Sequence, residues 1–371
     1  EIVLDTNVAE LSSIGRFEGY VRQAPWADSV RPLEPEDFKA GTNRSVIEPI
    51  ARFAVENSLS AVMAPAHYLA DPSQNWRAID LASCEALRIE LDRLGGEKIG
   101  IDYPLILNYQ QFRNPKLRKD ILGDLQQTPA DRLWLRVSGF GQDTTGTGIV
   151  RYIKSAGDFH ELGIPIISDF VGGLASQAIA SFGATSGFAH GLEGRERFSA
   201  SSWNKPRPEG SGGGSGRSIY IPGLDRRLKV EDARALFGDA TTAREIFGCG
   251  DHSCCGTTDK MLAAPEGHLA VQEGRVIREL SNTPESLRTD RFLSNYVSES
   301  RKRAERATGL KKASDQMMKK IEESSKRLGR MEQAMHGLRE EMPTVNFAAE
   351  ASLRPFSLGG IQGEGSGVLS E

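Results

Sequence analysis

From Ser45 to about Leu228 the sequence alternates short apolar runs with stretches of helical periodicity, and no other feature constrains the fold as strongly. The runs are Ser60–Ala66, Lys98–Leu107, Leu133–Val137, Pro165–Phe170, Ala184–Ala189 and Ile219–Ile221. Amphipathic stretches such as Leu81–Leu94, Pro115–Leu125 and Val150–Leu162 lie between them. Strand-helix repeats of this kind build a parallel sheet covered by helices. With Glu1–Leu4 at the front and Glu245–Phe247 at the back, eight candidate strands are present, the number at which such a sheet closes. The predicted class is α/β: a (β/α)8 TIM-type barrel over residues 1–247, with a zinc-binding appendage at 248–297 and a long C-terminal helix. An open doubly wound sheet is the alternative, and the chain lacks the early Gly-rich phosphate fingerprint that would favour it.

Apolar residues at 39% and charged residues at 26% suffice for a globular core, which excludes disorder over the whole length. No run approaches the roughly 20 uncharged apolar residues of a membrane span, and Glu1–Asp5 carry acids where a signal peptide carries bases. The expectation is a cytoplasmic protein with no membrane contact. Cys84 stands alone while the other three cysteines fall within seven positions, a distribution that suits a metal site and not a disulfide framework.

Two segments depart from the strand-helix rhythm. The Gly/Ser-rich stretch at 206–217 has too little apolar content to pack and reads as a flexible loop, either a lid or a solvated spacer. From about Asp290 to Met342 one long helical signal appears, with Met317, Ile321, Ser324, Leu328, Met331, Met335, Leu338 and Met342 at alternating spacings of three and four. Pro343 ends it. This basic helix, placed at 298–343, pairs with another helix, within the fold, across a homodimer or with a protein partner. Its Lys/Arg face offers a surface for tRNA or DNA phosphates, although most charge runs are simply solvated. The tail at 344–371 is Gly/Ser-rich and predicted to be poorly ordered.

The cysteines read Cys249, Cys254 and Cys255, followed by His268. Three thiolates and an imidazole complete a closed tetrahedral shell, as in structural Zn2+ sites. Adjacent Cys254 and Cys255 require a turn, which Gly248, Gly250 and Gly256 permit. His252 is the other candidate for the fourth ligand, and buried free thiols are the metal-free alternative.

Polar residues at the carboxyl ends of barrel strands face the active site. The candidate ends supply His67, Asp102 with Tyr103, Arg136, Asp169 and His190. Asp102 and Asp169 are the candidate catalytic acids, since carboxyls in unlike environments divide acid and base or nucleophile roles. His67, Tyr103, Arg136 and His190 are the candidate substrate contacts. A second metal held by His67, Asp102, Asp169 and His190 is a further arrangement, as is phosphate binding by Arg195 and Arg197, for which salt bridges to Glu193 or Glu196 are the alternative.

The second half of the chain resembles the tRNA-guanine transglycosylase family. The resemblance rests on Gly187-Phe188-Ala189-His190-Gly191 for that family's Gly-Gly-Leu-Ala element, then Tyr220-Ile221-Pro222-Gly223 with Val230-Glu231-Asp232, then the Cys/His set with His268-Leu269. It implies a zinc-containing barrel that exchanges a guanine for a 7-deazaguanine base, with Asp102 matching the family's Thr-Asp-Ser-Gly-Gly. The family's nucleophile sits on the eighth strand in Phe-Asp-Cys-Val, whereas this chain has Phe247-Gly248-Cys249. Either Asp169 has taken that role or the chain is a non-catalytic scaffold. A barrel hydrolase or lyase using His67 and His190 is the third expectation.

Overall fold

The computed structural model describes residues 1–70, 75–192, 194, 196–206, 216–239, 241–311 and 313–341. Most of the Gly/Ser-rich loop, Glu193, Arg195, Met342, Pro343 and the tail lie outside the described residues.

Six of the predicted strands form one parallel sheet in sequential order: β1 (Val3–Leu4), β2 (Ala61–Met63), β3 (Gly100–Asn108), β4 (Arg132–Ser138), β5 (Ile166–Asp169) and β6 (Gly187–Ala189). Each new strand adds beside the last without the reversal of a doubly wound fold, so the sheet winds in one direction as a barrel does. It also curls. Arg136 on β4 donates from Nη2 to Asp5 Oδ2 just beyond β1 at 2.9 Å. In a flat sheet these strands would stand about 14 Å apart, three spacings of roughly 4.8 Å.

The barrel does not close. The seventh predicted strand, β7 (Ser218–Ile221), pairs antiparallel with β8 (Arg226–Lys229) in a separate hairpin. The eighth, Glu245–Phe247, is the end of a helix, Thr241–Phe247, that buries Ile246 and Phe247. A short apolar run cannot be assigned to strand or helix by periodicity, and here tertiary packing chose the helix. The expected closed eight-strand barrel is therefore a six-stranded half-barrel with a hairpin beside it.

Helices Ile47–Glu56, Trp76–Arg93, Pro115–Leu125, Gly146–Ala156 and Gly173–Ser181 follow successive strands. Their ends are specified locally: Asn114 accepts from the amides of Lys116 and Leu117 ahead of Pro115, and Thr145 Oγ1 accepts from the Gly148 amide. Tyr103, Leu105 and Leu107 of β3 join Leu133, Leu135 and Val137 of β4 in the main core with these helices. Alternation then turns Asp102, Ile106, Arg132 and Arg136 to the concave face.

The predicted long helix is broken. Helices Glu285–Phe292 and Glu299–Ala307 run on into each other through a π-helical segment, Leu293–Ser298, and a break beginning at Thr308-Gly309 separates them from helix Asp315–Glu341. Met317, Ile321, Leu328, Met331, Met335 and Leu338 are buried against the chain's own core, so the apolar seam is occupied within the fold. One core runs from Val8 to Leu338, and the cysteine segment contributes to it. Among the described residues no helix is long and apolar enough to cross a membrane.

Candidate metal centre and concave-face carboxylates

The turn after helix Thr241–Phe247 is built on Asp251, whose carbonyl accepts from the amides of Cys254, Cys255 and Gly256 at 3.0, 3.0 and 2.7 Å. Gly256, at φ +73°, allows the chain to leave the turn in a left-handed conformation. Helix Pro265–Asn282 presents His268 on its first turn, and Arg275 on the same helix pairs with Asp251 and Ser253 to clamp the turn in place.

The result is a cluster in which Cys249, Cys254, Cys255 and His268 place one ligand atom each, all within 4.8 Å of one another. His268 Nδ1 lies 3.4 Å from Cys254 Sγ and 3.3 Å from Cys255 Sγ, and the two sulfurs are 3.5 Å apart. Tetrahedral zinc with Zn–S near 2.3 Å and Zn–N near 2.0–2.1 Å needs edges of about 3.6–3.8 Å, close to these values. The donor set fits a divalent cation with no open coordination position. Burial lowers the His268 pKa, a shift toward the neutral imidazole that ligation requires. Burial, then Cys254 and Cys249, push the Cys255 thiol up to about 12, a sign that a central cation would reverse by stabilising thiolates. His252 is exposed and outside the cluster, so His268 takes the fourth position.

On the concave face the charges lie in two layers. In the first, Arg132 grips Asp102 through two bonds of 2.6 and 3.0 Å and also pairs with Glu1. Asp102 stands near the amino end of β3, in register with Arg132, and not at the carboxyl rim where sequence reading placed it. In the second layer Arg136, in register with Asp169, donates from Nε to Asp169 Oδ2 at 2.7 Å and from Nη2 to Asp5 Oδ2 at 2.9 Å, with Nη2 also 2.7 Å from Asp169 Oδ2. Four residues of strand, about 13 Å, separate the layers. Asp102 and Asp169 therefore do not converge; Asp5 and Asp169 do.

Glu10, on the short helix Val8–Leu11 after β1, is the group that sequence reading missed. It is 6% exposed, and its Oε2 is buried without a hydrogen-bond partner among the described residues. Burial raises its pKa; Arg136 opposes this and Asp5 adds to it. Asp169 is likewise raised by burial, with Arg136 opposing. For Arg136, burial works against the charge, yet Asp169, Asp5 and Glu10 together hold its pKa above the usual value. Three carboxyls thus share one guanidinium, and the Asp5 side chain, 38% exposed, reaches solvent.

The backbone is unusual at the same place. Asn7 and Phe170 adopt φ of 52° and 57°, and their amides donate to Asp5 Oδ1 and Asp169 Oδ1. Non-glycine residues with positive φ gather at sites that hold side chains in fixed directions. Arg136 lies over the Phe170 ring at 4.8 Å, and Phe198, Trp203 and Tyr68 continue the aromatic surface. The segment carrying Phe198 and Trp203 spans the mouth from Phe140 to Gly15 through backbone bonds.

Other predicted residues are dispersed. Tyr103 is buried on the helix side of β3, away from the concave face. His190 stacks on Phe188 and bonds its neighbour's carbonyl, and His67 is bound by Asp80 and Ser12. Among the described residues, His67, Asp102, Asp169 and His190 do not form a metal-binding group. Arg197 pairs with Asp143, and Glu196 pairs with Arg227.

The Gly-Gly-Leu-Ala string placed at Gly187–Gly191 by resemblance occurs letter for letter at Gly172–Ala175, just past Asp169. Both glycines are required there. A Cβ on Gly172 would enter the Glu196 side chain, and Gly173, at φ +62°, would meet Asp225 Oδ1 at 2.5 Å. No protein-family model matches the chain, and no curated protein matches it.

Proposed function

We propose that the carboxyl-end rim of the half-barrel is the active site of a transglycosylase-like enzyme acting on a purine or 7-deazaguanine base held in tRNA or DNA. The observation that carries the reading is the convergence of Asp5 and Asp169 on one Arg136 nitrogen with Glu10 beside them. Oxygens at 2.7 and 2.9 Å from a common nitrogen put the two carboxylates side by side, so Asp169 can orient Asp5 while Glu10 stands near Asp5 and Arg136.

The roles follow from environment. Asp5, the solvent-facing carboxylate, meets the sugar carbon as the bond to the base breaks. Glu10, whose pKa burial raises, supplies the proton to the leaving base. Asp169 and Arg136 fix Asp5 and balance its charge. The rings of Phe170 and Tyr68 suit stacking of an extruded base. Asp102 takes no part beyond holding the lower layer with Arg132. The Cys249, Cys254, Cys255 and His268 set would hold a structural Zn2+. Lys320, Arg327 and Arg339 are used in ion pairs with Asp232, Asp225 and Asp290, which leaves the exposed Lys319, Lys326 and Arg330 as candidate phosphate contacts.

Labelled guanine or 7-deazaguanine exchange into tRNA and into duplex and single-stranded DNA tests the reading. Wild-type chain should exchange label with one of these, and Asp5→Asn or Glu10→Gln should lower the rate by about 100-fold or more. Binding should weaken steeply between about 50 and 200 mM salt. Failure to retain any nucleic acid at low salt, together with unchanged biological activity in Asp5→Asn, would leave the scaffold reading.

A further inference from the structure

Apart from the carboxylates, the rim carries a second constellation with defined geometry. His67, past the end of β2, is 3% exposed. Its Nδ1 lies 2.5 Å from Asp80 Oδ1, and its backbone amide donates to Asp80 Oδ2 at 3.0 Å, so the carboxylate grips both ends of the residue. Trp76 stacks on the imidazole with centroids 3.8 Å apart, and the edge of Phe38 closes another side at 4.7 Å. The ring cannot turn. Asp80 as acceptor fixes the proton on Nδ1 and leaves the Nε2 lone pair facing Ser12 Oγ at 2.9 Å.

Ser12 ends the short helix after β1 at φ −88°, ψ 0°, a sparsely populated backbone region in which many active-site residues are found. It is half-buried, with a face toward solvent that its neighbour Ser13, buried and bonded to the Ala9 carbonyl, lacks. A hydroxyl on an imidazole whose far nitrogen is held by a buried carboxylate is the arrangement that activates serine as a nucleophile, recognised by geometry and not by chain order.

We propose that Ser12, His67 and Asp80 form a nucleophile, base and orienting carboxylate that accept an acyl group from an ester. Ser12 Oγ bonds to the carbonyl carbon while its proton passes to His67 Nε2. The bond to the alkoxy oxygen breaks, and that oxygen leaves with the proton. Water then repeats the sequence, giving the carboxylic acid and free Ser12. No other reactant is needed. Asp80 acts through His67 as a positioning residue. This activity is independent of Asp5, Glu10 and Asp169, so its failure leaves the base-exchange reading untouched.

The test uses the full chain with an alkyl fluorophosphonate, in which Oγ–P forms, P–F breaks and fluoride leaves. Peptide mapping should find one adduct, on Ser12, and the chain should hydrolyse p-nitrophenyl acetate. Ser12→Ala should abolish both. His67→Ala should slow labelling by about 100-fold or more, with partial rescue by added imidazole, a rescue that a purely structural histidine would not give. Asp80→Asn should slow labelling, and Asp80→Glu should recover part of it. If the folded wild-type chain acquires no adduct, or acquires it on a residue other than Ser12, the constellation is only a structural tie and the proposal is overturned.

Discussion

Arg136 sets the charge balance of the concave face, because it is the cation that Asp5, Asp169 and Glu10 share. Replacing it by Met keeps the volume but leaves buried carboxyls uncompensated, and breaking a buried pair this way costs about 3–5 kcal/mol. Chemical denaturation of Arg136→Met should show that loss, and Asp169→Asn in the same background should recover part of it. Glu273 is a second acid under stress. Burial, then Glu196 and Asp225, raise its pKa to about 7, and its Oε2 has no partner among the described residues. A carboxyl raised in the folded state binds more protons there than when unfolded, so its contribution falls as pH rises from about 4.5 to about 7. At about 1.4 kcal/mol per pKa unit, Glu273→Gln should stabilise the chain on the order of 3 kcal/mol at pH 8 and hardly at all at pH 4. Equal effects at both pH values would show that Glu273 titrates normally. Asp169 and Arg136 were legible in the sequence because each closes an apolar run. Asp5 and Glu10 lie beyond a two-residue strand and on a four-residue helix, too short for any periodic signal, and only tertiary contact brings them to Arg136.

Packing between elements explains where the sequence reading succeeded. The central strands of the sheet, Ala61–Met63, Gly100–Asn108 and Arg132–Ser138, are largely buried, so their apolar pattern survives in the fold. The run at Ile219–Ile221 was also a strand, but its partner Arg226–Lys229 is mostly charged and gave no apolar alternation to announce a hairpin. The heptad-like stripe from Met317 to Leu338 was read correctly as an apolar seam, and its partner turned out to be helix Gly146–Ala156 and the neighbouring core. That contact depends on one glycine. A Cβ on Gly146 would stand 2.8 Å from Met331 Cα, 2.9 Å from Ala334 Cβ and 2.9 Å from the Arg330 carbonyl oxygen, mostly backbone atoms that cannot swing aside. Gly146→Ala should therefore push the two helices apart and cost about 1–3 kcal/mol, even though alanine is the better helix former. A thermal midpoint equal to or above wild type would mean that the helices do not approach as closely as this.

In the whole molecule, the Cys/His cluster and the sheet are parts of one core, and a bound ion would support them unequally. All four candidate ligands lie between Cys249 and His268, so a bound cation would close a short local loop and tie it to helix Pro265–Asn282 through His268, beside the Arg275–Asp251 pair. Cys249 and Cys255 pack against the main core together with Ile246, Phe247, Met261 and Leu262. Structural zinc in small sites contributes about 10–16 kcal/mol of apparent binding energy at neutral pH, most of which is spent organising its ligands. The half-barrel has its own support in the helices that follow its strands. Chelation should therefore act regionally: the thermal midpoint falls, amide exchange accelerates first across 241–282, and the amides of Arg132–Ser138 stay protected until global unfolding. Elemental analysis should find one zinc per chain, and Cys254→Ser should reproduce the chelated exchange pattern without chelator. Exchange across 241–282 that ignores both treatments would mean that the three thiols and His268 are held together by packing alone.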